Sequence, residues 1–98
     1  MTDSEQFKQI VCTMYDTFRK KNHDYGNSFS TTWQEFGSLG LVTAVAQISH
    51  KYHRLLNLTK GTQPKVDESI RDTLLDMANY CILTVMELDK AEAMTENF

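Results

Sequence analysis

The chain has 98 residues, of which 41% are hydrophobic and 23% charged, with four glycines and one proline. This composition is typical of one small globular domain and excludes a disordered or turn-rich chain. The formal net charge of -3 argues against a nucleic-acid partner, because such binders usually carry a basic excess.

No apolar run approaches the roughly 20 residues that span a bilayer. The polar, acidic start is unlike a signal peptide. The two cysteines lie far apart within apolar patterns, which favours buried free thiols over a disulfide or a paired metal site. We therefore expect no membrane partner and a cytoplasmic location.

The spacing of apolar residues predicts a first helix over about residues 4–22. The residues of its apolar face are three or four positions apart: Phe7, Ile10, Val11, Met14, Tyr15 and Phe18. Residues 22–28 favour a turn. They lead into an aromatic-rich connection, with Phe29, Trp33 and Phe36, which we expect to fold back over the core.

Two further helices are predicted over about residues 39–58 and 67–90. The core face of the second is Leu41, Val45, Ile48, Tyr52, Leu55 and Leu56. Gly61 and Pro64 favour its end, and Asp67 is a candidate N-cap for the third. The main face of the third is Ile70, Leu74, Met77, Ala78, Cys81, Val85 and Leu88. The tail after residue 90 loses this periodicity, and we expect it to fray.

No segment alternates with period two, so the prediction is a single all-α domain of three helices over residues 1–98. Three helices of this length bury only a modest core. The third helix also carries apolar residues beyond its main face: Leu75, Ile82, Leu83 and Met86. A helix that is apolar on several sides requires several neighbours. We therefore expect a homo-oligomeric helical bundle, a dimer or higher.

One narrow arc of the third helix holds Glu68, Asp72, Asp76 and Asn79. Leu75 and Leu83 flank this arc, which favours a partly enclosed acidic groove. Carboxylates one turn apart can share Mg²⁺, which bridges to substrate phosphates. The alternative is a solvated or salt-bridged face. We expect a different side of this helix to be the more fully solvated one, because it holds Ser69, Thr73, Thr84 and Glu87.

The second helix carries a polar stripe opposite its apolar face: Thr43, Gln47, His50, Arg54 and Asn57, with Lys51 nearby. In a bundle, these side chains can point into the acidic groove and donate hydrogen bonds to phosphates or a base edge. The alternative is that His50 and Arg54 pair with acids of a neighbouring helix. The turn around Asp24 and Tyr25 suits stacking and hydrogen bonding to a nucleobase, or Tyr25 packs on the core.

Three segments resemble the nucleotide-modification-associated domain family, whose members are short proteins common in phages and their bacterial hosts. The segments are KNHDYGNSF at 21–29, ISHKYHRL at 48–55 and DESIRDTLLDMANY at 67–80. The family is in turn distantly similar to MazG-like all-α nucleoside triphosphate pyrophosphatases, which hold Mg²⁺ on acidic residues of adjacent helices. Where the family often has Ser-Asp-Lys, this chain has Ser49-His50-Lys51.

The resemblance implies an all-α, MazG-like fold and a small-molecule nucleotide as partner, in the host cytoplasm if the protein is phage-encoded. The catalytic and metal residues would be Glu68, Asp72 and Asp76. The nucleotide-binding residues would be Asp24, Tyr25, His50, Lys51, Arg54 and Asn79. Three hypotheses remain: a Mg²⁺-dependent pyrophosphatase, a non-catalytic nucleotide-binding or sequestering protein, and a protein-interaction helper.

Overall fold

The computed structural model describes residues 1–25, 27–61 and 66–96, without the side chains of 22–25, 66–68, 95 and 96. All secondary structure in these ranges is helical, which confirms the predicted all-α class. The elements in chain order are α1 (Asp3–Tyr25), α2 (Ser28–Glu35), a short 3₁₀ turn (Gly37–Leu39), α3 (Gly40–Leu58) and α4 (Val66–Glu96). The number of α-helices in the described part is four, against the three predicted.

A reciprocal capping arrangement begins α1. The Thr2 hydroxyl oxygen accepts a hydrogen bond from the Glu5 backbone N–H at 3.1 Å, and the Glu5 carboxylate accepts one from the Thr2 backbone N–H at 3.1 Å. These bonds satisfy donors that lack helical partners in the first turn. The helix continues to Tyr25, so the predicted break at residues 22–25 is wrong in its position. Helical backbone geometry persists through residues that also favour turns.

The additional helix, α2, occupies the segment predicted to be an irregular aromatic connection. Asn27 caps it, because its side-chain oxygen accepts a hydrogen bond from the Ser30 backbone N–H at 3.4 Å. Asparagine is a favoured N-cap residue. Phe29 and Trp33 are four residues apart, a helical spacing, so this segment is a helix and not an irregular connection.

Gly40 allows α2 to lie close to the start of α3. A Cβ atom at this position would lie 2.8 Å from ring carbons of Trp33 and 2.8 Å from its carbonyl oxygen. Gly40 is buried. The reversal between the two helices also uses Gly37, whose φ of 56° lies in the left-handed region that favours glycine.

The helices α3 and α4 form an antiparallel hairpin, since they are consecutive, joined by residues 59–65, and packed against each other. The end of α3 at Leu58 coincides with the predicted end. By contrast, α4 has 31 residues, and it continues six residues beyond its predicted end into the tail expected to fray. At about 1.5 Å per residue, its length accounts for most of the 52 Å long axis of the molecule.

The sides on which α3 and α4 are buried differ from the predicted ones. Ala44 is fully buried on α3, whereas the buried residues of α4 are Thr73, Thr84 and Glu87. The interpretation of those three residues as a solvated side is therefore wrong. Each threonine hydroxyl donates to the carbonyl oxygen four residues earlier at 2.7 Å. A hydroxyl satisfied by its own helix can be buried at little cost.

Glu87 is buried for a related reason. Its carboxylate accepts a hydrogen bond from the Lys90 ammonium at 2.9 Å, one turn later on the same helix. The charge is paired locally, so the side chain can be buried without leaving an unpaired ion.

The predicted core faces of α3 and α4 are instead largely exposed. The large apolar residues that are more than a third exposed on these faces are Leu41, Val45, Tyr52, Leu56, Leu74, Val85 and Leu88. These residues are not buried in the single chain, because the two helices pack through the neighbouring positions; their burial in a core shared with a second copy stays a prediction. Among the described residues, none of the helices is long and apolar enough to cross a membrane.

Candidate functional site

A groove of about 780 Å³ lies on one side of the α3–α4 hairpin and receives side chains from all four α-helices. From α1 it receives Met14, Phe18 and Lys21. From α2 come Ser28, Phe29 and Thr32, after the cap residue Asn27. The floor is formed by Gln47 and Lys51 of α3 together with a row of α4 residues. This volume is in the range of small-molecule sites, about 300–1,000 Å³.

The α4 row follows helical spacing. Asp72, Asp76, Asn79 and Leu83 are separated by four, three and four residues, which places them on one side of the helix. Leu75 also lines the groove. Three members of the predicted polar arc, Asp72, Asp76 and Asn79, thus lie with the flanking leucines in a concave surface. Their roles in catalysis or binding stay predictions.

Three charged side chains meet near the centre of the groove. The Lys51 ammonium lies 3.3 Å from one carboxylate oxygen of Asp76, and the Lys21 ammonium lies 4.0 Å from the other. The Asp76 side chain is 40% exposed. Such a pair stabilises the fold by no more than about 1 kcal/mol, because solvent screens the charges. Its consequence is geometric: α1, α3 and α4 each place one charge at the same point.

Positive charge is in excess among the described lining residues. The cations are Lys21, Lys51 and Arg71, and the carboxylates are Asp72 and Asp76. One positive charge therefore remains after pairing. A cleft with low-dielectric walls focuses such a charge on an anionic ligand.

An aromatic pair forms part of the groove beside these charges. The rings of Phe29 and Tyr80 are stacked, with centroids 6.0 Å apart and planes inclined by 29°. Both residues are half-buried and line the groove. A partly exposed ring surface of this kind can stack on a planar ligand such as a nucleobase.

His50 and Arg54 do not join Lys51 in the groove. They line a separate shallow hollow of about 480 Å³ on α3, together with His53, Asn57 and Leu58. A step of one residue turns a helix by about 100°, so His50 points away from Lys51. The polar stripe of α3 is therefore divided, with Gln47 and Lys51 in the groove and the other members outside it.

Three predicted site residues cannot be placed. The side chains of Asp24, Tyr25 and Glu68 lie outside the described part of the chain. Among all the described residues, the His, Cys, Asp and Glu side chains form no group of three that could hold a metal ion. The set of Glu68, Asp72 and Asp76 includes a side chain that the structure does not describe, so the magnesium site stays a prediction.

Among the residues that line the groove, Lys21, Arg71, Phe29 and Tyr80 carry charges and rings that the sequence did not assign to a site. Tyr80 lies four residues after Asp76, so its position on the acidic side of α4 was a usable signal. Lys21 was interpreted only as a cation at the end of a helix. Its contact with Asp76, and that of Phe29 with Tyr80, join residues more than 50 positions apart, and no local pattern indicates them.

The family resemblance is confirmed by comparison with known proteins. A profile of the family described as nucleotide modification associated domain 1 matches residues 21–88. This range includes α2, α3, most of α4 and Lys21 of the groove. Searches of curated proteins and of solved structures found no match. Since the match covers more than half of the 98 residues, this chain belongs to the nucleotide modification associated domain 1 family.

Proposed function

We propose that this protein binds a nucleotide in the groove between its four helices. The base stacks on the Phe29–Tyr80 pair, and the phosphates lie at Lys21, Lys51 and Arg71. The observation that carries this proposal is the presence of the ring pair and the three cations in one groove. A nucleotide requires both kinds of contact, a planar surface for the base and cations for the phosphates.

The ion contacts of Asp76 support a pre-arranged phosphate site. Its carboxylate draws Lys51 from α3 and Lys21 from α1 to one point, so their ammonium groups are close together before a ligand arrives. A phosphate can accept hydrogen bonds from both groups, and hydrogen bonds between charged partners are about twice as strong as neutral ones. Pre-arrangement reduces the entropy lost when a ligand binds.

The polar walls suit the base and sugar. Gln47 and Asn79 each present an amide, which offers both a donor and an acceptor. They reach the groove from α3 and α4, the two helices that form its floor. The description of the family, which names nucleotide modification, agrees with a nucleotide as the class of ligand.

Equilibrium binding to a panel of canonical, modified and cyclic nucleotides tests this proposal. The protein is incubated with the panel and filtered through a membrane that retains it, with Mg²⁺ in one series and EDTA in another. A nucleotide retained in both series, and recovered unchanged after denaturation, supports binding without chemistry. Unchanged free concentrations for the whole panel in both series contradict the proposal.

A second candidate is a Mg²⁺-dependent pyrophosphatase of the MazG-like kind. The supporting observation is that Asp72 and Asp76 lie one turn apart in the same groove as the three cations. Carboxylate oxygens are the ligands that Mg²⁺ prefers, so this pair fits the ion in part. Asp76 must first exchange its contacts with Lys51 and Lys21 for the metal, and Glu68 would add a third carboxylate. The ion would supply Lewis-acid stabilisation of the phosphates.

Asp72→Asn distinguishes the two candidates, with Asp89→Asn as the matched control. Asp89 is an exposed aspartate of the same helix that does not line the groove. A pyrophosphatase releases a nucleoside monophosphate and pyrophosphate only with Mg²⁺, and Asp72→Asn abolishes this turnover while Asp89→Asn retains it. Absence of hydrolysis by the native protein, together with metal-independent retention of the nucleotide, leaves binding as the function. Normal turnover in Asp72→Asn contradicts the metal role of this residue.

A further inference from the structure

The side of the α3–α4 hairpin opposite the groove carries an exposed apolar face. We define this face as Leu41, Val45, Tyr52 and Leu56 of α3 with Leu74, Cys81, Val85 and Leu88 of α4. The seven large residues are each 42–54% exposed, and Cys81 is exposed as well. Single exposed apolar residues are common on monomers, but contiguous rows along two adjacent helices mark an interaction surface.

Helical geometry places these two rows on one face. Leu41 and Val45 each follow a buried residue of α3 by one position. In α4, Leu74, Val85 and Leu88 likewise each follow a buried residue. Each successive residue is turned by about 100° around the helix axis. Because α3 and α4 are antiparallel, the residue that follows a buried residue points to the same side of the hairpin in both helices.

The groove lies on the other side by the same argument. Asp72 and Leu83 line the groove and precede the buried residues Thr73 and Thr84 by one position. The apolar face and the groove are therefore separated by about 200° around α4. A ligand in the groove and a partner on the apolar face do not compete for space.

The amount of exposed surface indicates how large the missing contact is. The chain exposes 7799 Å², whereas a compact monomer of 11.3 kDa exposes about 5,700 Å². The excess of about 2,100 Å² per chain is shared between this face and other exposed apolar residues such as Phe7 and Tyr15 of α1. For a pair of chains it amounts to about 4,200 Å², against the 2,000–5,000 Å² that obligate homodimers bury. Among the described residues, the only buried hydrophobic one is Ala44, and no large side chain is fully buried.

We propose that this apolar face of α3 and α4 is the contact surface for a second copy of this chain, which completes the hydrophobic core that the single chain lacks. A second copy brings a face of the same size and the same apolar character, so the two faces bury each other in an isologous contact. Packing of two helical hairpins yields a four-helix arrangement with one shared core.

Sedimentation equilibrium of single-substitution variants tests this surface. Val45→Glu and Val85→Glu place a charge at residues that are each 54% exposed in the single chain. We expect the native protein to sediment as a dimer at micromolar concentration, and each variant to dissociate at least 100-fold more readily. Ile82→Glu is the matched control, because Ile82 is 50% exposed on the same helix but lies outside this face. It retains the dimer.

Thiol reactivity gives a second measurement that does not depend on a variant. Cys12 and Cys81 are both exposed in the single chain, but only Cys81 lies within the apolar face. We expect Cys12 to react rapidly with a thiol reagent and Cys81 to be protected at least tenfold, with Val45→Glu restoring the reactivity of Cys81. Circular dichroism confirms that the variant remains helical.

Several outcomes overturn the proposal. A native protein that sediments as a monomer up to 100-fold above micromolar concentration, with two equally reactive thiols, has no second copy on this face. A dimer that survives both glutamate variants, or that Ile82→Glu disrupts equally, uses a different surface. If Cys81 is protected in a protein that sediments as a monomer, another part of the same chain covers the apolar face.

Discussion

The two sides of the α3–α4 hairpin use the same two helices for opposite purposes. The groove side combines cations, carboxylates and a stacked ring pair in a concave surface of about 780 Å³. The opposite side presents rows of apolar residues that no described part of the single chain covers. Between them, α3 packs against α4, and the buried residues of the described part of α4 include Thr73, Thr84 and Glu87. Polarity along a helix therefore does not by itself identify the solvent side.

The contrast between the sides has a chemical basis. A threonine hydroxyl can bond to its own helix, so it can be buried between helices. Charged groups such as Asp72 and Arg71 are exposed, and they line a solvated groove. Aliphatic residues require a neighbour, and on the apolar face that neighbour is a second chain, as proposed above.

The largest effect is expected from Gly40→Ala, which changes the contact between α3 and α2, a helix that contributes residues to the groove. The new Cβ would meet the Trp33 ring and its carbonyl oxygen at 2.8 Å, and backbone atoms cannot move aside cheaply. We expect the free energy of unfolding to fall by about 1–3 kcal/mol, measured by urea denaturation. Gly37→Asn is the control, since its side chain meets open space and asparagine tolerates a positive φ. An equal loss for both variants would show that the contact with Trp33 is not the cause.

A smaller effect, on ligand affinity alone, is expected from removing a groove cation. Lys21→Met and Lys51→Met keep the aliphatic stem but remove the charge near Asp76. We expect nucleotide affinity to fall about tenfold or more in each, because hydrogen bonds to charged groups contribute about 1.5–3 kcal/mol. Lys20→Met, next to Lys21 but outside the groove, leaves affinity unchanged. Calorimetric titration measures the affinity of all three variants. If the three affinities are equal, the phosphates do not bind at Lys21 and Lys51.

The aromatic pair is expected to contribute less than the cations. Tyr80→Leu retains an apolar side chain but removes the ring stacked on Phe29. Affinity should fall about three- to tenfold, since aromatic stacking contributes about 0.5–1.5 kcal/mol beyond burial. Tyr15→Leu changes a tyrosine of α1 that is outside the groove and serves as the control. A base that binds elsewhere would leave the two variants equal in calorimetric titration.

The smallest effect is expected at the helix contact. Thr73→Val removes a hydroxyl whose hydrogen bond is to its own helix and adds a buried methyl group. These changes nearly cancel, so the free energy of unfolding should change by less than about 1 kcal/mol. If the free energy of unfolding in urea denaturation falls by more than about 2 kcal/mol, the hydroxyl also makes a polar contact with another helix.

The sequence by itself determined the all-α class, the position of α3, and the row of Asp72, Asp76 and Asn79 on one side of α4. These features depend on helical spacing, which is a property of residues within a few turns. It also indicated that the chain carries more apolar helix surface than three helices can bury. The helix α2 was missed, because aromatic residues and turn formers obscured its cap at Asn27.

Only the tertiary structure decided which side of each helix is buried and which residues meet in the groove. The apolar row of a helix and the neighbouring polar row are about 100° apart around its axis. The local sequence pattern does not decide which of the two rows packs against the other helix. The contacts of Lys21 and Lys51 with Asp76, and of Phe29 with Tyr80, depend on how helices distant in sequence are arranged. The groove therefore follows from packing between helices, whereas the helices themselves follow from local sequence.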